Sequence, residues 1–136
     1  VCSNPPRLLV CVNKSGVTHD KIIEARHFSV NVLAEDQDRV AKVFAGMATA
    51  SGDRFEAGTW RTLVTGSPCL ADAVSVFDCR MAFCCEQPTH TVFFGDVVAT
   101  GTSRSAEPLL YGLKRFRHIR KTHLAASGCD LESLHF

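Results

Sequence analysis

At 136 residues the chain has the length of one domain. Its 46% hydrophobic and 21% charged residues are those of a globular protein and exclude a disordered tail. A formal charge of +1 argues against non-specific nucleic-acid binding, and no apolar run approaches the roughly 18 residues of a membrane span.

Asn4-Pro-Pro6 dictates an extended lead-in, because proline fixes φ and denies the chain a helix. Arg7-Leu-Leu-Val-Cys-Val-Asn13 reads as a short apolar strand. Lys14-Ser-Gly-Val-Thr18 follows as a turn in which Gly16 is free to take positive φ. Thr18 is the expected N-cap of a short helix over 19–25, with Asp20 in its first turn, where the helix dipole favours an acid. His27-Phe-Ser-Val-Asn-Val-Leu33 alternates, with Phe28, Val30 and Val32 on one face and Ser29, Asn31 and Leu33 on the other. A second helix is expected from Glu35 to Phe44, its acids early and Lys42 late, with Gly46 ending it.

Met47 to Gly58 reads as a loop containing Asp53-Arg54-Phe55, with Trp60 closing it against the core, and Gly66-Ser-Pro68 as a turn. A strand over 74–83 and a strand over 90–99, joined by Glu86-Gln-Pro-Thr89, predict a hairpin. The second of these, His90-Thr-Val-Phe-Phe-Gly-Asp-Val-Val-Ala99, does not alternate cleanly and is expected to be buried on both faces. Its leading His90 is either the polar end of a core strand or a group facing a ligand. Gly101 to Pro108 is turn-like and Leu109-Leu-Tyr111 a last short strand. From Lys114 the tail is basic, and reads either as a solvated helix face or as an anion site. Strands that outnumber helices, and come in hairpins rather than alternating with long helices, favour a closed antiparallel barrel with helical insertions.

The seven cysteines, an odd number with several inside apolar runs, read as reduced thiols of a cytoplasmic protein. Cys79, Cys84 and Cys85 are expected to be buried structural residues, because neighbours on a strand point to opposite faces and make poor joint metal ligands. No signal peptide is visible, and the start at Val1 rather than Met predicts that residues upstream are missing. There is no phosphate loop, no G-x-G-x-x-G turn, no H-E-x-x-H and no G-x-S-x-G. Lys14-Ser15-Gly16-Val17-Thr18 has the logic of an anion cradle, with a cation and hydroxyls leading into a helix N-terminus; a turn plus helix cap explains the same residues.

The order of these features carries more than any one of them. Pro5-Pro6-x-Leu-Leu-Val-Cys-Val-Asn13, Ser15 and Thr18, Phe28-Ser-Val-Asn-Val-Leu33, Phe44-Ala-Gly46, Asp53-Arg-Phe55, Trp60, Gly66-x-Pro68-x-Leu70 and Thr89-His90 together resemble the short-chain flavin reductases. These are the reductase components of two-component flavin monooxygenases, of the 4-hydroxyphenylacetate 3-monooxygenase reductase and pyrimidine-utilisation types. The resemblance implies a mainly β split barrel with short helical insertions, a homodimer that neither enters membranes nor binds nucleic acid. It implies non-covalent FMN or FAD, hydride from NADH or NADPH, and release of reduced flavin to a partner monooxygenase. It also implies that Asn13, Lys14, Ser15 and Thr18 lie by the flavin or its phosphate, Asn31 near the isoalloxazine, and Asp53, Arg54 and Phe55 close to the cofactor. His90 would stand at the nicotinamide, positioning it rather than acting as a necessary base, and Phe116 and Arg117 would help hold a nucleotide.

Two departures stand out. The family carries a helix and strands, with a T-A-x-[SA] segment, before its Pro-Pro, so residues 1–136 are expected to be a single domain lacking that helix and those first strands. Pro88 replaces the usual glycine before Thr89-His90, removing an N–H and fixing φ. The rival to a reductase is a flavin-binding split-barrel module without catalysis.

Overall fold

The computed structural model describes residues 2–48, 52–103 and 105–117. Its centre is an antiparallel five-stranded sheet in the order β1-β2-β7-β6-β3. These strands are β1 Cys2–Ser3, β2 Pro6–Asn13, β3 His27–Val32, β6 Ser75–Glu86 and β7 His90–Gly101. Between them lie helix α1 Val17–Ala25, helix α2 Asp38–Phe44, a 3-10 turn Arg54–Ala57, and the pair β4 Trp60–Thr62 with β5 Pro68–Leu70. A last pair, β8 Leu110–Gly112 and β9 Arg115–Arg117, follows.

The long hairpin β6–β7 forms as its composition dictates, running from Glu86↔Thr91 to Val76↔Gly101. Pro88 falls in the connection, where Gln87 donates its N–H to the His90 carbonyl at 2.8 Å. The proline's missing donor therefore costs no ladder bond. β7 is not buried evenly on both faces as expected. Thr91, Phe93 and Gly95 are buried, while His90, Val92, Phe94 and Asp96 are only half-buried. Strand parity survives because α1 covers one face alone. That face holds the core of Ile22, Phe28, Cys79, Met81 and Phe93, with Val10 and Val12 of β2 packed against it. A Cβ at Gly95 would lie 2.6 Å from Phe28 Cζ, so the phenyl ring requires glycine there. A second core joins Val40, Cys69, Leu70, Ala73 and Val76. The uncovered face carries Leu9 and Phe83, 44% and 48% exposed, with Phe83 stacked on Phe94 at 4.3 Å.

Several local expectations need correction. The cap of α1 is Gly16 at φ −92°, not Thr18, which sits inside the helix, and Gly16 does not use positive φ. Helix α2 starts at Asp38 rather than Glu35. Ala34 bridges to Pro108, and buried Gln37 accepts the Ala34 N–H at 2.9 Å while donating to the Asp72 carbonyl at 3.3 Å. These ties turn the chain before the helix begins. Pro68, read as part of a turn, opens β5. At the C-terminal side Leu113 and Lys114, at φ 52° and 62°, make the turn between β8 and β9, so Arg115–Arg117 is a strand and not a helix face. The rest of the basic tail, from residue 118, lies outside the described residues. The five-stranded sheet has β1 and β3 as its edge strands, and no strand pairing joins those two edges among the described residues. Among those residues no helix is long and apolar enough to cross a membrane.

The six described cysteines are free. Cys69 and Cys79 are buried, whereas Cys84 is only half-buried and Cys85 exposed, because adjacent strand residues face opposite ways and one face is uncovered. Burial, reinforced by Asp78, pushes the Cys79 thiol up to about 11. Iodoacetamide at neutral pH is therefore expected to label Cys2, Cys11 and Cys85 in the native chain and to reach Cys69 and Cys79 only after unfolding, as peptide mass mapping reads directly.

Candidate functional site

α1, β3, α2 and the 3-10 turn line an open cavity of about 700 Å³, bounded at one side by Val10 and Val12 of β2. Its far wall is aromatic. Phe44 ends α2, Phe55 stands in the 3-10 turn and Trp60 opens β4; their ring centroids are 5.2 to 5.4 Å apart, with Phe55 edge-on to both others. The Trp60 indole N–H donates to the Phe55 carbonyl at 2.9 Å, which locks the corner. A few polar side chains complete the wall: Thr18, Lys21, His27, Ser29, Asn31, Arg54 and Ser67. An apolar hollow with sparse, placed polar groups suits a planar heteroaromatic ligand. Among the described residues no group of three His, Cys, Asp or Glu could hold a metal ion.

The structure gathers four of the sequence-derived candidates here: Thr18, Asn31, Arg54 and Phe55. Their tasks differ. Arg54 lies 5.8 Å over the Phe44 ring, a cation–π contact. Asn31 has a spent amide, since its Oδ1 accepts the Leu70 N–H at 2.8 Å and its Nδ2 donates to Ser29 Oγ at 3.1 Å and the Pro68 carbonyl at 3.5 Å. It ties edge strand β3 to β5. Asp53 does not line the cavity; its Oδ1 accepts the Phe55 N–H at 3.1 Å and caps the 3-10 turn.

The turn after β2 is internally satisfied. Asn13 Oδ1 accepts both the N–H and the hydroxyl of Ser15 at 2.9 Å, and Gly16 N–H goes to the Asn13 carbonyl. Lys14 pairs with Glu86 at 2.8 Å, and its ammonium holds the Glu86 carboxyl below the usual carboxylate range. These residues match the turn reading; of this stretch, Val17 and Thr18 reach the cavity wall.

His90 stands elsewhere. It is opposite Asn13 at the end of the sheet, with Nδ1 2.8 Å from Thr89 Oγ1. By parity it shares the face of Val92 and Phe94, whereas Val10 and Val12, which line the cavity, pair with Phe93 and Thr91 on the other. Phe116 lies in a second cleft of about 670 Å³, edge-on to Tyr111 and 5.7 Å from the Lys42 ammonium, while Arg117 pairs with Leu110 in the β8–β9 ladder. Sequence reasoning missed His27 and Ser67. The signal was present for His27: it shares with Ser29 and Asn31 the face of β3 opposite Phe28.

Comparison with known proteins bears on this geometry. Residues 1–120 match the flavin reductase like domain. FMN reductase (NADH) RutF 1 of Methylorubrum extorquens is 38% identical over 130 residues, 93% of this chain, which spans 64% of that relative's length. The NADH:FAD oxidoreductase SgcE6 of Streptomyces globisporus superposes with a TM-score of 0.80 at 30% identity, over 88% of this chain and 72% of that one. The nitrilotriacetate monooxygenase component B homologue of Mycobacterium thermoresistibile gives 0.80 at 28%, over 98% and 75%. A mainly β chain with an aromatic-walled cavity and this agreement over most of its length belongs to the flavin reductase like domain family.

Proposed function

We propose that the protein is an NADH-dependent flavin reductase that binds FMN in the 700 Å³ cavity and passes reduced flavin to a partner monooxygenase. The observation that carries this is the cavity itself. It offers an aromatic corner and a handful of hydrogen-bonding groups, which suits a ring system with apolar faces and a polar rim. A bound flavin supplies the hydride acceptor, so the chain needs to orient two cofactors and exclude water rather than provide a nucleophile. Phe44, Phe55 and Trp60 form the dry wall, and Thr18 and Arg54 bring a hydroxyl and a positive charge. FMN and NADH are favoured because the Methylorubrum relative bears both in its name. FAD and NADPH are the variants to compare with them.

Incubation with NADH, with and without added FMN or FAD, tests the reading: oxidation of NADH only when flavin is present is expected, and flavin binding without turnover would instead favour a binding module. The same proposal takes the fold to be a split barrel and the working form a homodimer. The uncovered sheet face of Leu9, Phe83 and Phe94 supports the latter, as a stacked apolar surface suited to a second copy. The free thiols support a cytoplasmic setting.

His90 takes the nicotinamide side in this proposal. It lies on the sheet face away from this cavity, the face that the proposed homodimer covers, so the nicotinamide it positions stacks on a flavin that the second copy brings to that face; His90→Ala is expected to raise the KM for NADH several-fold while leaving the Kd for FMN unchanged. Steady-state kinetics with unaltered constants for both would remove His90 from the site.

A further inference from the structure

Three polar side chains of β3 stand on the cavity wall, and two are spent. Ser29 donates to the Pro68 carbonyl and accepts from Asn31, and Asn31 gives both ends of its amide to its neighbours. His27 alone keeps a ring nitrogen without a partner among the described residues. Its Nδ1 lies 2.7 Å from Ser67 Oγ; Nε2 is the unengaged atom.

The hydrogen bonds beyond Ser67 determine what Nε2 can do. Asp78 is fully buried, and its Oδ2 accepts the N–H groups of Val64 and Thr65, each at 2.8 Å. Its Oδ1 accepts the Thr65 hydroxyl in a short bond. An ionised carboxylate only accepts, so the single hydroxyl proton of Thr65 is committed to Asp78. Thr65 Oγ1 nevertheless lies 3.0 Å from Ser67 Oγ. Thr65 Oγ1 also accepts the Ser67 backbone N–H at 3.2 Å, and with its own proton on Asp78 it meets the Ser67 hydroxyl only as an acceptor, so a hydrogen bond across that contact is donated by Ser67. Ser67 therefore donates to Thr65 and must accept from His27. Ser67 is 2% exposed, so water does not substitute for either bond. Counting protons along the chain puts a hydrogen on Nδ1, and in the neutral ring that leaves a bare lone pair on Nε2.

Resting on the reading of the cavity as a flavin site, we propose that His27 is a flavin-positioning residue whose Nε2, held as an acceptor by Ser67, Thr65 and Asp78, takes a hydrogen bond from an N–H or O–H donor of the flavin. Oxidised flavin has two such sources, the ring imide N–H and the ribityl hydroxyls. Its carbonyls and an ionised phosphate offer no proton. The residue does not act on the hydride; it selects one orientation of the ring by demanding a donor at one place.

The test uses the whole chain. Long-range ¹⁵N–¹H correlation of the histidine rings in the flavin-free protein is expected to show His27 with its proton on Nδ1, and Ser67→Ala to abolish that preference. A proton on Nε2 in the wild type overturns the inference. FMN is then titrated against wild type and two variants. His27→Asn keeps a donor toward Ser67 but has nothing at the Nε2 position, and is expected to bind FMN about tenfold more weakly with unchanged circular dichroism. His27→Gln, whose longer amide can carry an oxygen near the Nε2 position, is expected to bind more tightly than His27→Asn. The reverse order, or equal binding by His27→Asn and wild type, overturns the role of His27 alone. A wild type that binds no flavin overturns the cavity's reading as well. Lumiflavin, which lacks the ribityl chain, identifies the donor: a difference between wild type and His27→Asn that persists assigns the imide, and one that vanishes assigns a hydroxyl.

Discussion

Phe93→Ala is expected to lower the free energy of unfolding by about 4 kcal/mol. The side chain is fully buried in the first half of β7, between Val10 and Cys84 on the adjoining strands. It packs in the core with Ile22, Phe28, Cys79 and Met81, and its ring centroid is 5.6 Å from that of His19. Truncation removes a large buried apolar surface and leaves a hollow that two paired strands cannot close. Since α1 rests on this ring and also forms the cavity wall, FMN binding should weaken along with stability. Phe83→Ala is the control: its side chain is on the uncovered face and 48% exposed, and the same truncation should cost about 1 kcal/mol or less. Urea titration of both variants checks the pair, and comparable losses would mean that the two faces of the sheet are not distinguished as described.

Asp78→Ala should cost on the order of 3 kcal/mol, for a different reason. Few apolar contacts are lost. Instead the N–H groups of Val64 and Thr65 and the Thr65 hydroxyl lose their acceptor in a part-buried setting. Asp78→Asn keeps an oxygen and should fall between the two, because one carboxamide oxygen serves fewer donors. The loop over 63–67 depends on this carboxylate, and so does the placement of Ser67. Denaturant titration reads the stability; the ¹⁵N signals of His27 read the second consequence, a loss of its Nδ1 preference in Asp78→Ala. A stable variant with wild-type signals would show that the buried carboxylate organises neither.

Local chemistry was legible without the structure. The pairing of two apolar runs across Gln87-Pro-Thr89 into β6–β7 follows from composition. So does the alternation that sets Phe28 apart from Ser29 and Asn31. Asp53 was read as a cofactor neighbour because it begins an Asp-Arg-Phe run; its observed role, capping the amide two residues on, is also local and was available from spacing alone. The start of α2 was misread because propensity favoured the acids at 35 and 36, whereas its end at Phe44 was read correctly. The bridge from Ala34 to Pro108 and the Gln37 clamp to Asp72 are long-range ties that no window of sequence contains.

By itself the sequence determined the four long strands and the two helices, the family likeness, and a candidate set that included Thr18, Asn31, Arg54 and Phe55 of the cavity wall. Those follow from residue type and short spacing. Only the tertiary structure decided which face of the sheet is turned to the cavity, through Val10 and Val12 of β2, and so set His90 apart from it. The reason is that parity fixes which residues share a face, while packing of α1 chooses the face. Only the tertiary structure, likewise, spent the amide of Asn31 on Leu70 and left His27 with a free nitrogen, because a hydrogen-bonding group is available to a ligand only when no distant part of the chain has claimed it.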